Sequence, residues 1–448
     1  MFNYGKRTPI LMIMMLMIFM NLSAQPGKIK LTLNEALEKA RENNYEIKLA
    51  ESEEDAMRAD FNSSLAVFLP QVTLSETFVR TNDPLNTFGL KLKQEIVSQM
   101  DFNPALLNDP DAIKNFNTKL EVKQPLINLD GFWGRAAAAD GLSALEFKRK
   151  RTENYMDFMV KMNYYQVGLM SKSLDVVNKS LETAKANRKL INDYYDEGMI
   201  TKADYLMAEV FVSNLESQKA EVESQYRNAN DNLKHLLGID DDTEFEPTDT
   251  LSFTKVGDIN FSISSVLASR SDLMAYTYKV DAMSKKHTMN WMKFLPRLNA
   301  FGSYEYNDTE VFGTNADNWM IGLNLQWNVF NGFQNIASIQ KSKAELNYAK
   351  VELAKAKSQS KNEIDAAIRD LKTARKKLNL AETSVDQSEE SLRIIKDRFE
   401  KGLEKTTDLL NAETAASGAR LNYLKTLFFY NVSLFKVELM IEEKILSE

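Results

Sequence analysis

The chain has 448 residues, a formal net charge of −7, two histidines and no cysteine. The lack of cysteine excludes disulfides, thiolate metal ligands and a lipid on a cysteine behind a leader. The mild negative charge argues against a nucleic-acid partner. Length alone suggests two or three globular domains, but 126–246 and 297–448 contain no proline. Such stretches can hold very long helices, since an interior proline costs ~3 kcal/mol.

Lys6-Arg7, the apolar run Ile10 to Met20 and the small residues before a cut after Ala24 describe a secretory signal over 1–24. The run is too short to span a bilayer, and no later segment is apolar for the ~18 residues a spanning helix needs. The mature chain is expected to be exported without a transmembrane helix.

A first unit, 25–250, opens on Leu31-Thr32-Leu33-Asn34-Glu35-Ala36, where Thr32 or Asn34 can cap a helix running toward Val67. Phe68-Leu69-Pro70 ends it. Alternation over about 71–80 predicts a strand, with Val72, Leu74 and Phe78 on one side and Thr73, Ser75 and Thr77 on the other. Glu76 is a misfit on the apolar side. A loop rich in Asn, Asp and Pro fills roughly 82–115, and a second strand is expected over about 116–124. A long helix from about Phe132 to Asp196 and a shorter one from about Ala203 to Leu237 complete the unit.

The second unit, 251–448, repeats that order. A helix ends at Phe294-Leu295-Pro296, and strands are expected at about 297–307 and 319–329. The second of these alternates cleanly, Trp319, Ile321, Leu323, Leu325 and Trp327 against Gly322, Asn324 and Gln326. A long helix then runs to about Glu400 and a last one to near Ile445. The two units share local sequence: Ile191 to Met199 superposes on Ile395 to Leu403 glycine on glycine, and Asp204 falls on Asp408. The chain is a tandem duplication.

Both long helices carry heptads, which mean coiled-coil packing. Leu371, Leu378, Val385, Leu392 and Phe399 are spaced by seven, and their counterparts are Val167, Leu174, Leu181, Arg188 and Tyr195. About 65 helical residues make a rod of roughly 100 Å, the length of the two shorter helices of a unit stacked end to end.

Four strands of about ten residues, each with an apolar and a polar face, have the length a tilted strand needs to cross a bilayer. Aromatics cluster where helix meets strand: Phe68, Trp291 and Phe294 where the chain enters the strands, Phe132, Trp133, Phe330 and Phe333 where it leaves them. Rings at a membrane–water boundary account for such a girdle. A soluble sheet packed on helices would explain any one strand; the same context four times points to a membrane. Four strands cannot close a barrel around a channel, and open edges cannot stand in lipid. The barrel is therefore expected to be shared between chains.

In this order of elements and in its repeated motifs, from the Leu-Thr-Leu-Asn-Glu-Ala opening to both Gly-x-x-x-x-x-Asp tips, the chain resembles the TolC-like outer-membrane efflux proteins. The resemblance implies an α+β membrane protein of duplicated coiled-coil helices and β-hairpins. The implied assembly is a homotrimer whose twelve-stranded barrel in outer-membrane lipid continues as a periplasmic α-helical barrel. It also implies a periplasmic membrane-fusion adaptor and an inner-membrane transporter of RND, ABC or MFS type as partners, no cofactor, and a passive duct for efflux or type I secretion across the outer membrane of a Gram-negative bacterium. Gly198, Met199, Gly402 and Leu403 would form the tip turns that meet the adaptor. Asp204, Asp408, Glu404 and Phe399 would occupy the periplasmic gate. The family's closing tyrosine and arginine fall on Phe399 and Glu404, and an inner-ring aspartate on Asn411, so those links cannot form here. Asp408 and Glu404, four apart, would share a helix face if the helix began by Leu403. A soluble periplasmic coiled-coil adaptor or structural protein is the alternative reading, and it has no use for amphipathic strands. His235 and His287 read as surface or packing residues; nothing suggests catalysis.

Overall fold

The computed structural model describes residues 28–240, 242–249, 252–253, 261–443 and 445; the expected signal over 1–24 lies outside them. In chain order the elements are β1 (Lys28–Leu31), α1 (Leu33–Asn43), α2 (Tyr45–Ser63), β2 (Gln71–Thr81), α3 (Pro84–Lys93), α4 (Pro104–Asn108), β3 (Ile113–Ile127), α5 (Leu129–Asp196), α6 (Lys202–Leu237), β4 (Glu244–Pro247), α7 (Ile263–Ser269), α8 (Ser271–Met292), β5 (Arg297–Asp308), β6 (Ala316–Gln326), α9 (Gln334–Glu400) and α10 (Thr406–Ile441). Helices α5 and α9 are 68 and 67 residues long. None of the described helices is long and apolar enough to cross a membrane.

The chain divides into two compact units, one built within Met1–Leu49, Thr152–Val266 and Ser360–Glu448, the other from Ala50–Arg151 and Leu267–Gln359. Among its described residues the first is helical apart from β1 and β4, which pair in parallel. That small sheet is clasped by Tyr164. Its buried hydroxyl lies 2.8 Å from the Leu31 carbonyl and 2.7 Å from the Asp249 carboxylate, and it accepts from the Thr248 and Asp249 N–H groups. Burial pushes the phenol up to about 12, so it stays protonated. Heptad positions Val167, Val177, Leu181, Ala184 and Ile191 on α5, and Leu371, Ala374, Leu378 and Phe399 on α9, are buried. The helix expected from Asn34 toward Val67 breaks at Asn44. The side chain of Asn44 accepts from the Glu46 and Ile47 N–H groups and so caps the start of α2.

The second unit holds a fully antiparallel four-stranded sheet in the order β2-β3-β5-β6. Between β2 and β3 the segment expected as loop contains α3 and α4, each opened by a capping residue and a proline, Asp83-Pro84 and Asn103-Pro104. Helix α3 turns toward the polar face of the sheet: Lys93 meets Glu305 at 3.0 Å, and buried Gln94 donates to Asn115 at 2.7 Å.

Candidate functional sites on the sheet and at the helical tips

The register gathers the alternating residues of all four strands onto common faces. Val72 stands opposite Val122, Leu74 opposite Leu120, Leu120 opposite Tyr304, Tyr304 opposite Trp319, Ala300 opposite Leu323 and Leu298 opposite Leu325. This apolar face is bare, with Ile321 78% and Leu74 68% exposed. The opposite face carries Thr73, Ser75, Asn117, Lys119, Glu121, Ser303, Glu305 and Asn324. Glu76 is the misfit on the apolar face, and its carboxylate is satisfied there by the hydroxyl of Thr118 directly opposite and by the Phe312 N–H. The outer edges of β2 and β6 pair with no strand among the described residues. A face this apolar, with unpaired edges beside it, demands a cover of lipid and further strands.

Aromatic side chains mark both ends of that face. At the helix-proximal end Phe68, Trp291 and Phe330 are exposed while Phe294 and Trp133 are partly covered. Trp327 joins them, donating its indole N–H to the Phe294 carbonyl at 2.9 Å. His287 positions Trp291: one ring nitrogen accepts from the Trp291 indole and the other meets the Ser342 hydroxyl at 2.9 Å. At the far end Phe78 packs on Phe116, and Tyr304 on Tyr306, with Trp319 alongside. Sequence reading missed this second row as a unit. Its signal was present in the alternation, but the pairing that brings it together is a matter of register.

After the C-terminal ends of α5 and α9 the two duplicated turns have one geometry. Gly198 and Gly402 adopt φ of +75° and +71°, a left-handed conformation that favours glycine. Gly198 and Met199 donate to the Tyr195 and Tyr194 carbonyls, and Gly402 and Leu403 to those of Phe399 and Arg398. Each is a Schellman stop, and each leaves its following apolar residue, Met199 or Leu403, pointing into solvent at 58% and 63% exposure.

The restarts differ. Thr201 caps α6 in a reciprocal box with Asp204, whose carboxylate accepts from the Thr201 N–H and hydroxyl. In the second copy Lys405 stands at the cap and makes no side-chain bond, so Asp408 has no such tie and is half-exposed. Beneath the turns Ile191, Ala208, Phe399 and Leu409 form one buried cluster.

The family model for outer membrane efflux proteins matches residues 36–239 and 262–427. The chain belongs to that family. Its fold is that of several solved channels. A membrane protein from Pseudomonas aeruginosa gives a TM-score of 0.79 at 17% identity, covering 91% of this chain and 92% of that one. The CmeC outer membrane channel of Campylobacter jejuni gives 0.77 at 17%, covering 91% and 85%. The outer membrane protein VceC of Vibrio cholerae gives 0.74 at 15%, covering 92% and 97%. No curated protein matches the sequence. The duplicated helix-and-hairpin architecture is thus that of the TolC-like outer-membrane efflux channels.

Within that family frame the tip departs from what the sequence suggested. Phe399, buried at 3% exposure and beside Tyr194, is a packing residue within the chain. Helix α10 starts at Thr406, so Glu404 lies outside it and does not share a helix face with Asp408. Glu404 is instead held by Arg398 at 2.7 Å.

Two neighbouring residues of α5 reach the two copies of a duplicated glutamate. Arg188 lies 3.5 Å from Glu209 on α6, which also accepts from the Tyr205 hydroxyl. Asn187 donates to Glu413 on α10 at 3.2 Å, and Ser180 to Ser417 at 3.0 Å. Glu413 is buried with an amide for a partner, and burial raises its pKa, against the lowering effects of Asn187, Lys396 and Arg420. Farther along the same seam Lys161 pairs with Glu438 at 2.9 Å.

Proposed function

We propose that three copies of this chain close a twelve-stranded barrel in the outer membrane, each β2 pairing with the β6 of a neighbour, and that their helices continue the duct into the periplasm. The observation that carries this is the four-stranded sheet with one bare apolar face, one polar face and two unpaired edges. Closure in lipid removes the edges and covers the face at once. The polar face then lines the water path. Exposed Tyr348, Val351 and Leu380 on α9 supply apolar surface for contacts between subunits. The duct is passive and serves efflux or type I secretion; 25–250 and 251–448 are its two repeats.

The tips with Met199 and Leu403 dock a periplasmic membrane-fusion adaptor, which links the duct to an inner-membrane transporter of RND, ABC or MFS type. Exposed apolar residues on rigid glycine turns suit such a contact. Asp408, carrying no cap bond, forms an acidic constriction at the tip, where three carboxylates near one axis attract cations; Asp204 and Glu404 are occupied locally and contribute less. Light scattering on the unheated, detergent-solubilised protein tests the assembly. A mass of three chains is expected, and a stable monomer would remove the pore.

A further inference from the structure

Arg80 and Lys114 stand directly opposite each other across the β2–β3 ladder. They lie on the apolar face, one step beyond the Phe78–Phe116 pair, whose ring centroids are 4.7 Å apart. Cations opposed in this way have Cβ atoms ~5 Å apart and repel each other. Both side chains are exposed. Elsewhere in the sheet and its connections, Lys91 pairs with Asp101, Lys93 with Glu305, Lys119 and Lys123 with Glu121, and Arg297 with Asp130. Arg80 and Lys114 are the exceptions: neither makes an ion pair with a described residue. The backbone of Lys114 and that of Thr81, next to Arg80, are nevertheless pinned. Gln94 donates to the Lys114 carbonyl at 2.8 Å, and the Thr87 hydroxyl to the Thr81 carbonyl at 3.3 Å.

We propose that Arg80 and Lys114 form a phosphate-binding pair that holds the phosphorylated headgroup of an outer-leaflet lipid against the barrel wall. The proposal rests on the channel reading, which puts the helices in the periplasm and this end of the sheet in the outer leaflet. The chemistry fits at each point. A phosphate between the two cations turns their repulsion into attraction. The arginine fork can bind two of its oxygens while lysine adds a point charge. The aromatic row just beneath sits at the level where headgroup gives way to acyl chain. Strands held by their own ladder and by the α3 contacts offer the pair on a rigid support, so little ordering cost falls on binding.

The test uses the full-length trimer and the double variant Arg80→Gln/Lys114→Gln, with Lys119→Gln/Lys123→Gln on the polar face as control. Each is titrated with vesicles of phosphatidylethanolamine with and without bisphosphorylated lipid A, and separately with inorganic phosphate. The expected result is tighter binding to the lipid A vesicles by the parent and the control. The double variant should lose roughly tenfold or more of that affinity, the scale of one lost charge-assisted hydrogen bond. Phosphate alone should compete weakly. Equal lipid binding by parent and double variant would overturn the proposal. So would a double variant whose trimer is less heat-resistant while its lipid binding is unchanged, since that places the two cations in strand pairing between subunits. Saturation by inorganic phosphate with no lipid preference would also overturn it. A parent chain that is monomeric and absent from outer-membrane fractions would instead refute the channel reading itself.

Discussion

Arginine placed at Leu323 and at Asn324, neighbours on β6, tests which side of the sheet meets lipid. Leu323 lies four residues from Trp319 and four from Trp327, about 14 Å along the strand from each at ~3.4 Å per residue. It therefore sits midway across the band that the two tryptophans bound, on the bare face opposite Ala300. Arginine facing hydrocarbon at mid-depth costs ~2–4 kcal/mol per copy, or ~6–12 kcal/mol for a trimer. That is comparable with the whole stability of a typical domain, ~5–15 kcal/mol. Asn324 points the other way, beside Asn299, and arginine there stays in water. Unheated electrophoresis of outer-membrane fractions should show heat-resistant trimer for Asn324→Arg and little or none for Leu323→Arg. Equal amounts of both would mean that lipid does not cover this face, and the assignment of the sheet would fall.

Three further outcomes are expected. Thr201→Ala removes the capping box of α6 and should destabilise by about 1 kcal/mol, whereas Lys405→Thr gives α10 the cap it lacks and should stabilise. Denaturation midpoints that fail to move in opposite directions would refute this account of the two restarts. Burial holds Glu413 above the ordinary carboxylate value of 4.5, so its seam is tightest below that value and loosens as pH rises through the folded-state pKa. Glu413→Gln should therefore raise Tm relative to the parent by an amount that grows with pH; a constant difference would sink the idea. In single-channel recordings Asp408→Ala should lower cation preference and block by trivalent cations, and no change in either would place Asp408 on the outer wall.

Much of this fold is legible in the sequence. Alternation such as Trp319 to Trp327 is a property of the strand itself, and heptads such as Leu371 to Phe399 are a property of the helix. Local breaks were harder. Asn44 ends one helix and caps the next within a single residue, and its neighbours keep the helical pattern through the break. Asp83-Pro84 and Asn103-Pro104 carried helix-start signals, but the segments behind them are short and their polar, proline-containing setting reads as loop. The tip was the least legible. Whether an aspartate six residues past a glycine is free or tied depends on the cap, threonine at 201 and lysine at 405. The pairing of Glu404 with Arg398 depends on where the chain turns, and periodicity does not record that. Nor does any local pattern join Leu31 and Asp249 through Tyr164.

The unequal fastening of α5 to its two neighbours has a mechanical consequence. To draw α6 away at the level of residue 209, the ion pair with Arg188 must be broken. To draw α10 away at the equivalent level, the contacts of Asn187 and Ser180 with Glu413 and Ser417 must be given up and, nearby, the ion pair of Arg420 with Glu389 on α9, while the charged bond of Lys161 to Glu438 still holds farther along. Helix α10 is thus tied to α5 by amide and hydroxyl contacts toward the tip and by a charged one toward its C-terminal end. Gene duplication supplied two equivalent glutamates, and neighbouring residues of α5 give one a charged partner and the other an amide.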